Sequence, residues 1–176
     1  MLAATGMRIS EALALAARHL SNDGRTITVE QQVEKNAPRI ASNLKTYAAK
    51  RQIDLHPQIA EYLQHFSSGR NGLLFQTRKR TPYLPNTLEP RWLTPRLETM
   101  QLDEKGMGWH SFRRFRKTWL RGQRCFEDVS NFWMGHKPAT RGELYSHLHE
   151  ESQLRLDEAA RVGFGFSKCT DCPEIG

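Results

Sequence analysis

The sequence predicts an α+β fold, mainly helical, in which a helix bundle carries a small three-stranded antiparallel sheet. Three observations point to it. Apolar residues recur at helical spacing near both ends: Ile9, Ala12, Leu13 and Ala16 form an i, i+3, i+4, i+7 stripe, and Phe112, Phe115 and Trp119 share one helical face. Between them, Thr26 to Val33, Ile40 to Leu44 and Ile53 to Leu55 alternate polar and apolar residues, the period of half-buried strands. The 176 residues, 38% hydrophobic and 26% charged, suffice for one domain with its own core and do not have the composition of a disordered chain.

The elements follow in order. Thr5 to Ala17 carries an amphipathic helix that Gly6 precedes as a turn, and in it Arg8 and Glu11 are surface neighbours at i and i+3. Asn22-Asp23-Gly24 is a turn, and the first strand runs from Thr26 to Val33 until Asn36-Ala37-Pro38 breaks it. Lys45 falls at or near the tip of the second hairpin, with Lys50 close behind it. Pro57 opens a helix that Ser67-Ser68-Gly69 ends. Gln76 to Pro85 is a basic, turn-rich loop containing Arg78, Lys79 and Arg80. Asn86 to Met100 is helical, interrupted by Pro90 and Pro95. Gly106-Met107-Gly108 leads into the helix that starts near Trp109. Asp128 to Met134 is a short helix stopped by Gly135, and Pro138 opens another that carries Tyr145. Glu150 to Val162 is amphipathic, with Leu154, Leu156 and Ala160 as its apolar residues, and Gly163 to Gly176 reads as a mobile tail. There is no internal repeat and no low-complexity segment.

Charge and cysteine usage narrow the function classes. Twenty-six Lys and Arg against nineteen Asp and Glu leave a formal charge of +7, which favours a polyanionic partner such as nucleic acid. No apolar run reaches the length of a membrane span, and Met1-Leu2-Ala3-Ala4 lacks the charged start of a signal peptide. Three cysteines do not make a disulfide framework, so a cytoplasmic location is expected. Cys169 and Cys172 have the spacing of half a zinc site. Completing it would take Cys125 with His147 or His149, so free thiols are the simpler reading and no metal is expected.

The stretch from Trp109 to His147 concentrates groups that could meet an anion. With Phe112, Phe115 and Trp119 as the core face of its first helix, His110, Arg113, Arg114, Lys117 and Arg121 fall together on the opposite face. Taken alone this is a solvated basic face. Arg8 with Glu11 is then a plain ion pair, His136 a histidine at a helix stop, Lys45 a solubilising lysine and Tyr145 a half-buried aromatic.

Four ordered blocks change that reading. They are Thr5-Gly6-Met7-Arg8-Ile9-Ser10-Glu11; Leu44-Lys45-Thr46 with Arg51-Gln52-Ile53-Asp54-Leu55; His110-Ser111-Phe112-Arg113; and Met134-Gly135-His136 followed by Tyr145. Together, across residues 5 to 148, they resemble the catalytic domain of the tyrosine site-specific recombinases, the phage-integrase family. This chain departs from that pattern at Met134, where the family usually has Leu, and at Asp54, where it usually has Pro.

The resemblance implies a tyrosine recombinase catalytic-domain fold over residues 1–162, without the helical core-binding domain that precedes it in the family, and a flexible tail over 163–176. It implies transesterification at a DNA phosphodiester. The Tyr145 hydroxyl attacks phosphorus, a 3′-phosphotyrosyl bond forms, a 5′ hydroxyl leaves, and rejoining reverses the step, with no metal, ATP or other cofactor. Arg8 and Arg113 would bind the nonbridging oxygens bidentately, since guanidinium geometry suits phosphate. His136 would be the third donor to the phosphate. Lys45, or Lys50, would protonate the leaving oxygen, and His110 would accept the tyrosine proton or orient the phosphate. A phenol with a pKa of about 10 needs such help at neutral pH. Glu11 would hold the arginines rather than touch substrate. Arg78, Lys79, Arg80, Arg114, Lys117 and Arg121 would track the DNA backbone. The partners implied are double-stranded DNA and further copies of the chain in a synaptic tetramer, joined through the C-terminal helix. The location implied is the cytoplasm, in association with the nucleoid, for a protein encoded by a bacterium or a phage. Two other readings share these residues: a DNA-binding fragment without catalysis, and a type IB topoisomerase-like strand-passage enzyme.

Overall fold

The computed structural model describes residues 1–42, 50–102, 105–136 and 148–167. Helix α1 (Leu2–Thr5) ends at Gly6, whose left-handed φ of 69° turns the chain toward α2 (Ile9–Leu13). The Glu11 side chain accepts from the Arg8 backbone N–H at 2.9 Å and so caps α2. The helix expected to run to Ala17 stops after Leu13. Leu74 N–H donates to the Leu15 carbonyl at 2.8 Å and Ala16 bridges Leu73, so this apolar run is buried as extended chain instead.

Strand β1 (Thr26–Val29) pairs antiparallel with β4 (Arg51–Asp54), Thr26 opposite Asp54 and Val29 opposite Arg51. β2 (Gln32–Val33) pairs with β3 (Ile40–Ala41). The small antiparallel component is therefore two two-stranded ladders among the described residues rather than one three-stranded sheet. The strand expected from Thr26 to Val33 is interrupted at Glu30-Gln31, although inward and outward residues still alternate through it, and the buried Gln31 amide donates to the Ala14 carbonyl at 2.5 Å.

The remaining described elements are helical. α3 spans Pro57–Ser67. α4 (Pro85–Leu88) and α5 (Thr94–Thr99) are joined by a π-helical turn over Glu89–Leu93, which absorbs the N–H missing at Pro90. α6 (Trp109–Gly122), α7 (Glu127–Met134) and α8 (Ser152–Val162) complete the fold. α7 ends at Gly135 with φ 61°. It lies at the centre: Phe132, Trp133 and Met134 are fully buried, with Met7, Leu15, Ile27, Ile53, Leu55 and Leu120 around them.

Helix α6 packs differently from its sequence pattern. Its buried residues are Arg113, Arg116 and Leu120, whereas Phe115 is 39% exposed and Phe112 and Trp119 are half-buried. Two arginines can face the core because backbone carbonyls satisfy them: Arg113 meets Gly6 and Met134, and Arg116 meets Gly163 at 2.6 Å. The aromatic face lies under the chain that follows α8. Trp119 Nε1 donates to the Val162 carbonyl at 2.8 Å, and the Phe166 ring sits 6.5 Å from that of Phe115. Residues 163–167, expected as the start of a flexible tail, are thus packed. Residues 168–176 lie outside the described residues.

α8 turns Arg155, Glu158, Ala159 and Val162 inward, and leaves Leu154 41% exposed. The apolar face expected at Leu154, Leu156 and Ala160 is displaced because Arg155 has buried acceptors: Asp54 Oδ2 at 2.8 Å, Gln52 Oε1 at 2.9 Å and the Leu148 carbonyl. α8 packs on its own chain. Among the described residues no helix is long and apolar enough to cross a membrane.

Candidate functional site

Residues from all four sequence blocks close into a ring of hydrogen bonds. Arg113 on α6 donates from Nη1 to the Gly6 carbonyl at 2.7 Å and from Nη2 to the Met134 carbonyl. Two residues beyond Gly6 stands Arg8, and two beyond Met134 stands His136. Arg8 Nη1 donates to Glu11 Oε1 at 2.8 Å. Glu11 also accepts from Arg51, Nη1 to Oε1 at 3.2 Å and Nη2 to Oε2 at 2.8 Å. Arg51 Nε then donates to the Trp133 carbonyl at 2.8 Å, one residue before Met134, which returns to Arg113. The left-handed turns at Gly6 and Gly135 let the two carbonyl-bearing corners meet α6.

The Glu11 carboxylate is saturated: each oxygen accepts twice, counting the Arg8 backbone N–H. Burial alone would raise its pKa, but the hydrogen bonds and charge of Arg51, with the bonds from Arg8, hold it below the usual carboxylate value. One carboxylate therefore faces three guanidiniums, those of Arg8, Arg51 and Arg113. Burial first, then the charges of Arg8 and Arg51, pull the Arg113 guanidinium down to about 10. Burial and the positive charges of Arg113, Lys117, Arg8 and Arg51 also lower the His136 pKa, so at pH 7 its imidazole is neutral. Glu11 and Arg51 are sealed from solvent, while the Arg8 side chain is 44% exposed. The ring opens outward at Arg8 beside the half-buried His136. A cluster with more guanidiniums than carboxylates, open on one side, has the charge and donor geometry suited to an anion.

The sequence-predicted residues fall into three groups. Arg8, Glu11, Arg113 and His136 converge. His110 is exposed on the first turn of α6, the helix that carries Arg113. Lys45 and Tyr145 lie outside the described residues, and Lys50 is exposed just before β4. Of the backbone-tracking candidates, Arg78, Lys79 and Arg80 are exposed at the turn between the bridged residues Gln76 and Pro82, and Arg114 and Arg121 are exposed on α6. Lys117 is different: its Nζ donates to Ser130 Oγ at 3.1 Å and Asn131 Oδ1 at 2.9 Å, which fastens α6 to α7.

Sequence reasoning missed Arg51. The available signal was its register: on β4 it shares the inward face with Ile53, and an inward arginine at a strand's start requires a buried carboxylate. Among the described residues no His, Cys, Asp or Glu cluster could hold a metal ion. Cys169 and Cys172 lie outside them. Cys125 is half-buried, and burial with the neighbouring Glu158 pushes its thiol up to about 12, which makes it inert at neutral pH.

No protein-family model matches the chain, and no curated protein matches it in sequence. Solved structures do match in shape. The chain shares the fold of transposon and phage integrases. The integrase of transposon Tn1549, in complex with circular intermediate DNA, superposes with a TM-score of 0.66 at 20% identity over 87% of this chain and 57% of that one. The same integrase with transposon right end DNA gives 0.64 at 19% identity, over 87% and 56%. The integrase of mycobacterium phage Brujita gives 0.61 at 20% identity, over 97% and 52%. This chain spans just over half the length of those chains. The likeness is to the tyrosine recombinase catalytic-domain fold, and at this identity it is a likeness of fold.

Proposed function

We propose that this chain is the catalytic part of a DNA strand transferase of the integrase type, cleaving and rejoining DNA through a 3′-phosphotyrosyl bond at Tyr145. The observation that carries the reading is the ring joining Arg8, Glu11, Arg51, Arg113 and the turn before His136. It pre-arranges cations where a phosphodiester gains charge in the transition state, and Glu11 keeps them apart without competing for substrate. Arg8 presents its guanidinium at the open side. His136, neutral at pH 7, donates one ring N–H to a nonbridging oxygen. Arg113 has both Nη groups on carbonyls, so it acts chiefly through charge and by fixing the two corners of the ring.

Tyr145 attacks phosphorus, the 5′ oxygen leaves with a proton from Lys45, and His110 accepts or relays the tyrosine proton. Rejoining is the reverse. No bond energy is lost, so the reading requires neither ATP nor metal. The integrases of like fold that hold DNA support duplex DNA as the partner. Arg78, Lys79, Arg80, Arg114 and Arg121, all exposed, supply sequence-independent phosphate contacts. Assembly of several protomers on one site belongs to the same reading. Since α8 packs Ala159 and Val162 into its own core, the face it offers a neighbour is the one with Leu154.

The test is a pool of short nicked duplexes of randomised sequence, incubated with the full chain and resolved under denaturing conditions. An adduct that maps to Tyr145 by mass spectrometry and is lost in Tyr145→Phe supports the enzyme. DNA binding with no adduct from any member of the pool overturns it in favour of a binding module. Relaxation of supercoiled DNA without sequence preference would indicate a topoisomerase-like activity instead.

A further inference from the structure

Met134, at the end of α7, and Leu148 flank residues 137–147, which lie outside the described residues, and a buried guanidinium holds the backbone carbonyl of each. Before the segment Arg113 holds Met134. After it Arg155 Nη1 donates to the Leu148 carbonyl, although Arg155 lies far from the Arg8 ring in sequence. Arg155 is 1% exposed and its partner Asp54 is 0% exposed. Asp54 is the hub of this second cluster. Its Oδ2 accepts from Arg155 Nε and from Trp133 Nε1, both at 2.8 Å, and its Oδ1 accepts from Thr26 Oγ1 at 2.9 Å. The third Arg155 donor, Nη2, meets Gln52 Oε1 at 2.9 Å. The Phe132 ring packs against Arg155 and His149, with the Arg155 guanidinium 5.1 Å from its centroid and His149 edge-on at 4.9 Å.

A buried ion pair is a weak way to gain stability, because apolar replacements of similar volume serve as well or better. It is a specific way to fix one carbonyl relative to a strand, a helix and an indole. Leu148 follows Tyr145 by three residues, so its position limits where that tyrosine can reach. We propose that Arg155, seated on Asp54, is a positioning residue for strand cleavage: it anchors the C-terminal end of the 137–147 segment and thereby aims Tyr145 at the phosphate. This rests on the reading of Tyr145 as the nucleophile.

The test uses Arg155→Lys in the full chain. A lysine keeps the charge opposite Asp54 but cannot also reach Gln52 and the Leu148 carbonyl. Hydrogen exchange measured by mass spectrometry should be about tenfold faster over 137–150 and unchanged over β1, β4 and α6. Affinity for the nicked duplex pool should stay within about twofold, while the single-turnover rate of adduct formation falls by about 10- to 100-fold, the usual cost of a misplaced reacting group. If β1 and β4 lose protection, the substitution has unfolded the cluster. Gln52→Leu, which removes only one acceptor from Arg155, then carries the test with a smaller loss in the same direction, about threefold. Unchanged exchange over 137–150 overturns the anchor, and faster exchange with an unchanged adduct rate overturns its role in aiming Tyr145. Faster exchange in a protein whose wild type forms no adduct overturns the enzymatic reading, and the aiming role with it, while leaving the anchor measured.

Discussion

Glu11 and Arg51 form a two-pronged ion pair across forty residues of chain, Nη1 to Oε1 at 3.2 Å and Nη2 to Oε2 at 2.8 Å, with each side chain 2% exposed. The same carboxylate holds Arg8. The pair thus joins the two ends of the candidate site to the start of the β1–β4 ladder. Its loss would leave a buried guanidinium without its counter-charge beside two others.

Glu11→Ala should therefore lower stability by about 3–5 kcal/mol, the range for breaking a buried pair from one side. Glu11→Gln, which keeps the shape and one acceptor oxygen, should cost less. Urea denaturation at pH 7 measures both, and equal stability of Glu11→Ala and wild type would refute the pairing. The pH dependence has a defined sign. The folded-state pKa of Glu11 is below its unfolded value near 4.5, so its contribution is complete above that value and is lost as pH falls through the folded pKa.

His136 gives a second pH signature, in binding. Its pKa is lowered by burial and by the cations around it, Arg113 first. A phosphate seated among them offsets those charges and raises it again. DNA binding should therefore take up a proton, and affinity should increase as pH is lowered through and below the ordinary histidine value of 6.5. Anisotropy titrations with one duplex across this range should show that rise, and His136→Gln should flatten it. Stability runs the other way. With its folded-state pKa depressed, His136 destabilises the free protein progressively as pH drops below 6.5.

Arg113→Lys tests the ring rather than its charge. One ammonium cannot reach both the Gly6 and the Met134 carbonyls that the guanidinium spans. One buried carbonyl is left unsatisfied, at a cost of about 1–3 kcal/mol. Thermal unfolding should show the loss, and adduct formation should fall by more than DNA affinity, because the corner leading to His136 is no longer fixed. A parallel fall in the two would place Arg113 in binding alone.

These expectations depend on residues that are legible in the sequence to different degrees. Arg8, Glu11, Arg113 and His136 stand in ordered motifs, and the fold class follows from periodicity and alternation. Arg51 also stands in one of these motifs, but nothing there marks it as a site residue, because in sequence it is one of several cations around a hairpin and only strand register turns it inward. The face of α6 is misleading for a related reason. Its aromatics mark an apolar stripe, but Arg113 and Arg116 are buried because distant carbonyls at Gly6, Met134 and Gly163 accept their donors, and such pairings are non-local. Arg155 on α8 repeats the pattern. Arg51, Arg113, Arg116 and Arg155, each holding a backbone carbonyl, look like surface charge in sequence and are core in this fold.

Lys117 and the loop at Arg78 separate the two kinds of cation experimentally. Removing one cation that meets a phosphate should reduce the slope of log affinity against log salt by about 1. Arg78, Lys79 and Arg80 are exposed at a turn, so replacing all three should lower the slope by up to about 3 and weaken binding to every sequence alike. Arg80 has φ 61°, so Gly is the suitable replacement there and should leave stability unchanged or slightly raised. Alanine suffices at the other two. Lys117→Ala should instead leave the slope unchanged and cost stability, since its Nζ is engaged by Ser130 and Asn131 between α6 and α7. Burial, the first cause of its lowered pKa, fits that inward placement. Salt titrations of one duplex with wild type, the triple variant and Lys117→Ala decide it. A slope that drops for Lys117→Ala but not for the triple variant would put DNA against the α6–α7 junction rather than the loop.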